Sequence, residues 1–126
     1  MVDEDDLRKR LSPLQYHVMR EKGTERPFTG EHLRETREGR YLCAACGHML
    51  FSSSSKFDSR CGWPSFDAPM DPDAVGTAED TGHGMVRTEV LCPNCGSHLG
   101  HLFDDGPTET GTRYCINSVA LDFEED

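Results

Sequence analysis

The chain has 126 residues, enough for one domain with a real core, and 13 Lys+Arg against 23 Asp+Glu leave a net charge of −10. That balance excludes the basic face that a nucleic-acid or anionic-membrane partner calls for. The acid gathers at the ends, in residues 3–6 and 124–126, as solvated termini or as adaptation to high salt.

No basic segment leads into an apolar run near the start, and no stretch approaches transmembrane length, so an intracellular, cytoplasmic chain is expected. There, six cysteines serve metal binding or catalysis more often than structural disulfides. Residues 3–11 read as an acid-led helical turn or two, with Leu7 and Leu11 four apart. Ser12-Pro13-Leu14-Gln15 has the form of a helix start, Leu14 and Val18 continue the apolar stripe, and Gly23 is a natural stop. His17 falls on the exposed face and takes no role. Residues 24–39 are polar and rich in turn formers, with Pro27-Phe28-Thr29-Gly30 as a turn carrying one buried aromatic. From Arg40 the pattern changes to short runs, and residues 41–42, 49–51, 85–91, 99–103 and 114–123 are strand candidates. Residues 67–84 read as loop. No fixed repeat is present. The expected fold is mainly β, a single domain over residues 1–126 with a short N-terminal helical segment.

Two matched knuckles stand out, Cys43-Ala44-Ala45-Cys46-Gly47 and Cys92-Pro93-Asn94-Cys95-Gly96. In each, two thiolates grip one metal from a tight turn, and the glycine relaxes the backbone behind it. Together they supply four sulfur ligands for a closed tetrahedral zinc, one per chain and structural because no coordination position stays open. A redox dithiol in one knuckle is the alternative, and His48 and His98 are nearby substitutes as ligands.

Cys61 and Cys115 are left over. Cys115 lies in Arg113-Tyr114-Cys115-Ile116-Asn117-Ser118-Val119-Ala120-Leu121, which reads as one strand with Arg113, Cys115 and Asn117 on one face and Tyr114, Ile116 and Ala120 on the core face. A cation beside a thiol favours the reactive thiolate, and Asn117 both donates and accepts hydrogen bonds. The plainer reading is a buried structural cysteine beside a surface arginine. Cys61 sits in Ser59-Arg60-Cys61-Gly62-Trp63-Pro64-Ser65-Phe66, an irregular loop holding the only tryptophan. Two spare thiols suggest an attacking and a resolving cysteine; a core tryptophan and a passive thiol are the alternative. His98 and His101, just after the second knuckle, are candidates to move protons near neutral pH.

These segments together resemble the B-type methionine-R-sulfoxide reductases, from about Leu11 to Phe123. The resemblance rests on Pro27-Phe28-Thr29-Gly30, the two cysteine pairs, Cys61-Gly62-Trp63-Pro64-Ser65-Phe66, His83-Gly84-Met85, His98-Leu99-Gly100-His101 and Arg113-Tyr114-Cys115-Ile116-Asn117-Ser118. It implies a zinc-braced antiparallel β fold and peptide-methionine (R)-S-oxide reductase activity on protein-bound, and also free, methionine sulfoxide. It casts Cys115 as the nucleophile that becomes a sulfenic acid, and Cys61 as the thiol that resolves it to a Cys61–Cys115 disulfide. Trp63 would receive the substrate methyl, with Arg113 and Phe103 also contacting substrate. His98, His101 and Asn117 would surround the sulfoxide oxygen, and Cys43, Cys46, Cys92 and Cys95 would hold zinc. The implied partners are oxidised proteins and thioredoxin or a similar reductant, met by a monomer. Arg60, where a small residue is common, and the polar residues 75–81 depart from the family pattern. A zinc-ribbon binding module is the competing class, and it leaves Cys61 and Cys115 unused. A zinc hydrolase needs an open coordination position that four cysteines deny.

Overall fold

Two short helices open the chain in the computed structural model, which describes residues 4–126. The first, α1 (Glu4–Arg10), starts on three acids and ends on three bases, which suits the helix dipole; Asp3, where the sequence reading begins this helix, lies outside the described residues. The second, α2 (Pro13–Glu21), has the expected capping box: Gln15 N–H donates to Ser12 Oγ at 3.1 Å, and Ser12 N–H donates to Gln15 Oε1 at 2.9 Å. Leu7, Leu11, Val18 and Met19 are buried, whereas Leu14 is exposed and leaves the stripe. The left-handed residue that ends α2 is Lys22 (φ 58°), not Gly23. An added Cβ at Gly23 would meet only the exposed His17 side chain, 2.2 Å away.

The body is two antiparallel sheets. One has three strands in the order β2 (Met49–Ser52), β1 (Gly39–Cys43), β9 (Leu121–Glu125). The other has six, in the order β3 (Lys56–Phe57), β4 (Ser65–Phe66), β8 (Arg113–Ile116), β7 (His98–Phe103), β6 (Arg87–Leu91), β5 (Gly76–Asp80). Tyr41 and Phe51 from the small sheet meet Phe66 from the large one, with ring centroids 5.1 and 4.3 Å apart. Each such fully buried ring contributes roughly 1.5–3 kcal/mol. Leu50, Val90, Leu99, Ile116 and Leu121 complete this core, and α2 packs against β7.

Four local expectations are corrected. The run 114–123 is two strands in two sheets: β8 ends at Ile116, and a 3-10 turn (Ser118–Ala120) redirects the chain into β9. Tertiary partners take the backbone donors there, since Asn117 N–H bonds Leu99 O and Val119 N–H bonds the Glu25 carboxylate, both at 2.9 Å. Residues 67–84 hold β5, an edge strand too polar for hydrophobic alternation to reveal. The strand placed at 85–91 begins at Arg87, with Met85 and Val86 exposed. Phe28 is 57% exposed with φ 66°, not a buried aromatic.

Candidate active site and metal centre

Each knuckle is a turn closed by its own backbone. Gly47 N–H donates to Cys43 O and Gly96 N–H to Cys92 O, both at 2.8 Å. Both glycines have positive φ (81° and 76°) with nothing near a would-be Cβ, so backbone conformation alone selects them. Cys43 ends β1, Cys92 follows β6, and the two turns meet so that all four Sγ atoms lie within 4.8 Å of one another. Cys43 to Cys95 is 3.7 Å and Cys46 to Cys92 is 3.6 Å. A tetrahedron with metal–sulfur bonds of about 2.3 Å has edges of about 3.8 Å, so the cluster is placed to hold a metal ion and is compatible with zinc. Neither His48 nor His98 belongs to it.

The remaining cysteines meet elsewhere. Strand register across the large sheet sets Ser65, Cys115, His101 and Glu89 in one row, each opposite the next on adjacent strands. Strand β8 approaches β7 so closely at Gly100 that a Cβ there would lie 2.0 Å from the Cys115 carbonyl oxygen. The Cys61 loop folds over this row and brings Cys61 Sγ to 3.5 Å from Cys115 Sγ. A cavity of about 230 Å³ opens beside the pair, lined among others by Trp63, His101, Phe103, Arg113 and Asn117.

The thiol pair shares a proton unevenly. Cys61 is held down to about 4, first by the hydrogen bond from Cys115 and then, against burial, by Ser59 and Ser65. Ser59 Oγ donates to Cys61 Sγ at 2.9 Å, and Ser65 Oγ stands 3.5 Å from it. Cys115 is pushed up by the bond to Cys61, by burial and by the Cys61 charge, while Arg113 pulls the other way. The arginine therefore favours a Cys115 thiolate, as the sequence suggests, but the neighbouring sulfur outweighs it. Arg113 is aimed by a two-pronged contact to Asp105 (2.9 and 3.2 Å) and lies 4.4 Å over the Phe103 ring.

The histidines separate. His101 lines the cavity, and its Nε2 lies 2.8 Å from Asp80 Oδ2. Asp80 is held well below the usual carboxylate range, first by that bond, so it accepts and His101 Nε2 carries the hydrogen. His98 is not among the residues that line the cavity. His98 is 2% exposed, its Nδ1 sits 2.6 Å from Glu89 Oε2, and its ring packs edge-on to His101 at 5.3 Å. Burial pushes it below the usual imidazole range. Glu89 also pairs with the exposed Lys22 at 3.4 Å.

Asn117 reaches the cavity from just beyond β8 rather than from within a straight strand. Its Oδ1 accepts from Glu25 N–H at 2.9 Å and its Nδ2 donates to Leu99 O at 3.0 Å, leaving one amide hydrogen uncommitted. Trp63 Nε1 donates to Glu25 O at 3.1 Å, which fixes the indole. Glu25 thus braces both residues through its backbone and Val119 through its carboxylate, while 2% exposed. Sequence reasoning missed Glu25 and Asp80. Glu25 lies in a polar loop with no periodicity to betray burial, and Asp80 closes a strand read as loop.

Residues 11–125 match the SelR domain family. Proteins named peptide methionine sulfoxide reductase MsrB from Bradyrhizobium diazoefficiens, Agrobacterium fabrum and Thiobacillus denitrificans are 58, 57 and 60% identical to this chain. The matches cover 96, 94 and 92% of this chain and 87, 88 and 88% of those proteins.

Proposed function

This chain belongs to the SelR domain family of B-type methionine-R-sulfoxide reductases, and from that premise we propose how its own residues reduce the sulfoxide. The observation that carries the reading is the 3.5 Å Cys61–Cys115 contact in a cavity shared with Trp63, His101 and Asn117. The substrate methyl rests on the Trp63 indole, an apolar wall for a thioether, with Phe103 and Arg113 beside it. Cys115 hands its proton to Cys61, 3.5 Å away, and attacks the sulfoxide sulfur as thiolate. The oxygen takes a proton from His101. With Nε2 committed to Asp80, the proton that His101 transfers is the one on Nδ1. The free Asn117 amide hydrogen bonds the same oxygen. Methionine leaves, and Cys115 carries the oxygen as a sulfenic acid.

Cys61 then attacks the Cys115 sulfur. The S–O bond breaks, water departs, and a Cys61–Cys115 disulfide remains. Closing 3.5 Å to a bond of about 2.05 Å needs a shift of roughly 1.5 Å, within reach of a loop side chain. Thioredoxin or a similar dithiol restores both thiols by supplying two electrons and two protons. We assign zinc to Cys43, Cys46, Cys92 and Cys95, where it braces the ends of β1 and β6 and supplies folding free energy, not reaction chemistry. The reading places the enzyme in the cytoplasm as a monomer over residues 1–126, acting on oxidised proteins and on free methionine sulfoxide. Cysteines with metal-binding and redox roles suit a reducing compartment, and no helix among the described residues is long and apolar enough to cross a membrane.

Three fixed contacts, methyl to Trp63, sulfur to Cys115 and oxygen to His101 and Asn117, distinguish the sulfoxide hands. Exchanging methyl and oxygen strands a polar group on the indole, which costs about 1–3 kcal/mol. The test is kcat/KM for each epimer with dithiothreitol as reductant. A strong R preference that narrows in Trp63→Ala supports the arrangement, and equal values for both epimers in the unmutated enzyme refute it.

A further inference from the structure

A larger cleft, about 590 Å³, lies on the flank of the Cys61 loop and shares no lining residue with the sulfoxide cavity. Arg60 and Gly62, the neighbours of Cys61 in the chain, form one wall. Phe28, Leu33 and Phe57 give it an apolar lining. Four cations and two carboxylates, Glu35 and Asp58, surround it in a chain of net charge −10. Two are committed: Arg37 pairs with Glu35 and Glu125, and Lys56 Nζ donates to Leu33 O and Glu35 O at 2.9 and 3.1 Å. The other two, Arg34 and Arg60, are exposed and form no ion pair among the described residues.

The backbone here is also unusual. Among the described residues, three that are not glycine have positive φ, and two of them, Phe28 (66°) and Arg60 (61°), line this cleft. Neither residue type favours that region. They are linked through Gly62, whose carbonyl accepts from Phe28 N–H at 2.7 Å. A Cβ at Gly62 would meet Pro27 Cβ at 2.5 Å and the Phe28 ring at 3.1 Å, so the loop and the Pro27-Phe28 turn are locked together. The result is an exposed aromatic and an unpaired arginine, each held in an unfavourable conformation beside Cys61. Backbone strain gathers at ligand-contacting positions, and exposed aromatic and arginine side chains are the residue types that anchor protein interfaces.

We propose that this cleft docks the dithiol protein that regenerates the enzyme, and that this partner presents acidic side chains around its reactive cysteine. The inference rests on the recycling reading above. The net charge of −10 disfavours an acidic partner overall, and the unpaired Arg34 and Arg60 are where such a partner is steered. Seated there, its thiolate is next to the loop that carries Cys61. It attacks Cys61 Sγ, the Cys61–Cys115 bond breaks, and Cys115 leaves as a thiolate beside Arg113. The partner's second thiol then attacks the mixed disulfide, Cys61 leaves, and the partner ends oxidised by two electrons.

The experiment compares Arg34→Glu, Arg60→Glu and their double variant with the unmutated enzyme. Each is assayed on a methionine-R-sulfoxide peptide with thioredoxin and, separately, with dithiothreitol. The double variant is expected to raise the KM for thioredoxin by about tenfold or more, with added salt shrinking the difference, and to leave the dithiothreitol-driven rate and the peptide KM unchanged. An unchanged thioredoxin KM overturns the proposal. A raised peptide KM in the dithiothreitol assay also overturns it, because the cleft then belongs to the substrate chain. Phe28→Ala provides a second reading without charge, with the same split expected. If the unmutated enzyme uses dithiothreitol but not thioredoxin, the recycling reading itself fails, and that outcome is visible before any variant is made.

Discussion

The two sulfur clusters look alike by distance and differ in everything around them. In the four-cysteine cluster two S···S contacts are 3.6 and 3.7 Å, and in the cavity the contact is 3.5 Å. The first set sits on two rigid turns, each closed by a glycine N–H, with four donors converging on one point. The second has two sulfurs, a hydroxyl pair, a guanidinium and an imidazole around an open space. Four sulfurs around a point satisfy a metal and leave nothing to react. Two sulfurs beside a cavity share one proton and stay available to a substrate. Sulfur spacing therefore says little about role; the number of donors and the polarity of the neighbours decide it.

The contrast breaks most sharply at Cys115. Cys115→Ser is expected to lower turnover by ~10³-fold or more while keeping metal content and melting temperature, as measured by steady-state kinetics, metal analysis and calorimetry. Cys92→Ser should do the reverse in kind. Structural zinc binds with apparent energies of roughly 10–16 kcal/mol, so losing one ligand should cost the metal and lower Tm by about 10 °C or more. Full metal content with an unchanged Tm in Cys92→Ser removes the assignment of a structural site.

Cys61→Ser sharpens the charge argument. The bond from Cys115 holds Cys61 below the usual thiol range, and the Cys61 bond and charge hold Cys115 up. Serine carries no charge, so Cys115 is left with burial opposed by Arg113 and must ionise at lower pH than before. Iodoacetamide labelling against pH, read by peptide mass, should show the Cys115 midpoint moving down in Cys61→Ser. An upward or absent shift contradicts the shared proton. The same variant should complete one reduction, stop with a sulfenic acid on Cys115, and fail to turn over with thioredoxin.

The smallest effect is expected at Asp80→Asn, which keeps shape and removes the charge opposite His101. A loss of roughly tenfold in kcat with little change in KM is expected, with Asp80→Glu recovering part of it. An unchanged kcat in Asp80→Asn makes Asp80 a purely structural partner.

Much of this was legible in the sequence because the signals are local. A Cys-x-x-Cys-Gly turn carries its own geometry, and Ser12 with Gln15 caps a helix wherever that helix lies. The mainly β fold and the meeting of the four knuckle cysteines followed from such signals, and the antiparallel arrangement from the family resemblance. What stayed hidden was set at a distance. Val119 bonds Glu25, 94 positions away, and that contact helps bend the run after Cys115. His98 and His101 are three apart, which regular alternation would put on opposite faces, yet the pairing of β6 with β7 shifts register between them and their rings lie 5.3 Å apart. Phe28 is apolar, but its left-handed backbone and its tie to Gly62 hold it in solvent.

The central claim is that Cys61 and Cys115 act as a pair and the other four cysteines do not. Disulfide mapping settles it: the metal-loaded enzyme is mixed with excess methionine R-sulfoxide without reductant, quenched in acid, and digested. The account predicts one methionine formed per chain, one Cys61–Cys115 disulfide, and Cys43, Cys46, Cys92 and Cys95 recovered as thiols. A disulfide that joins a knuckle cysteine to Cys115, or methionine formed with all six thiols intact, would contradict it.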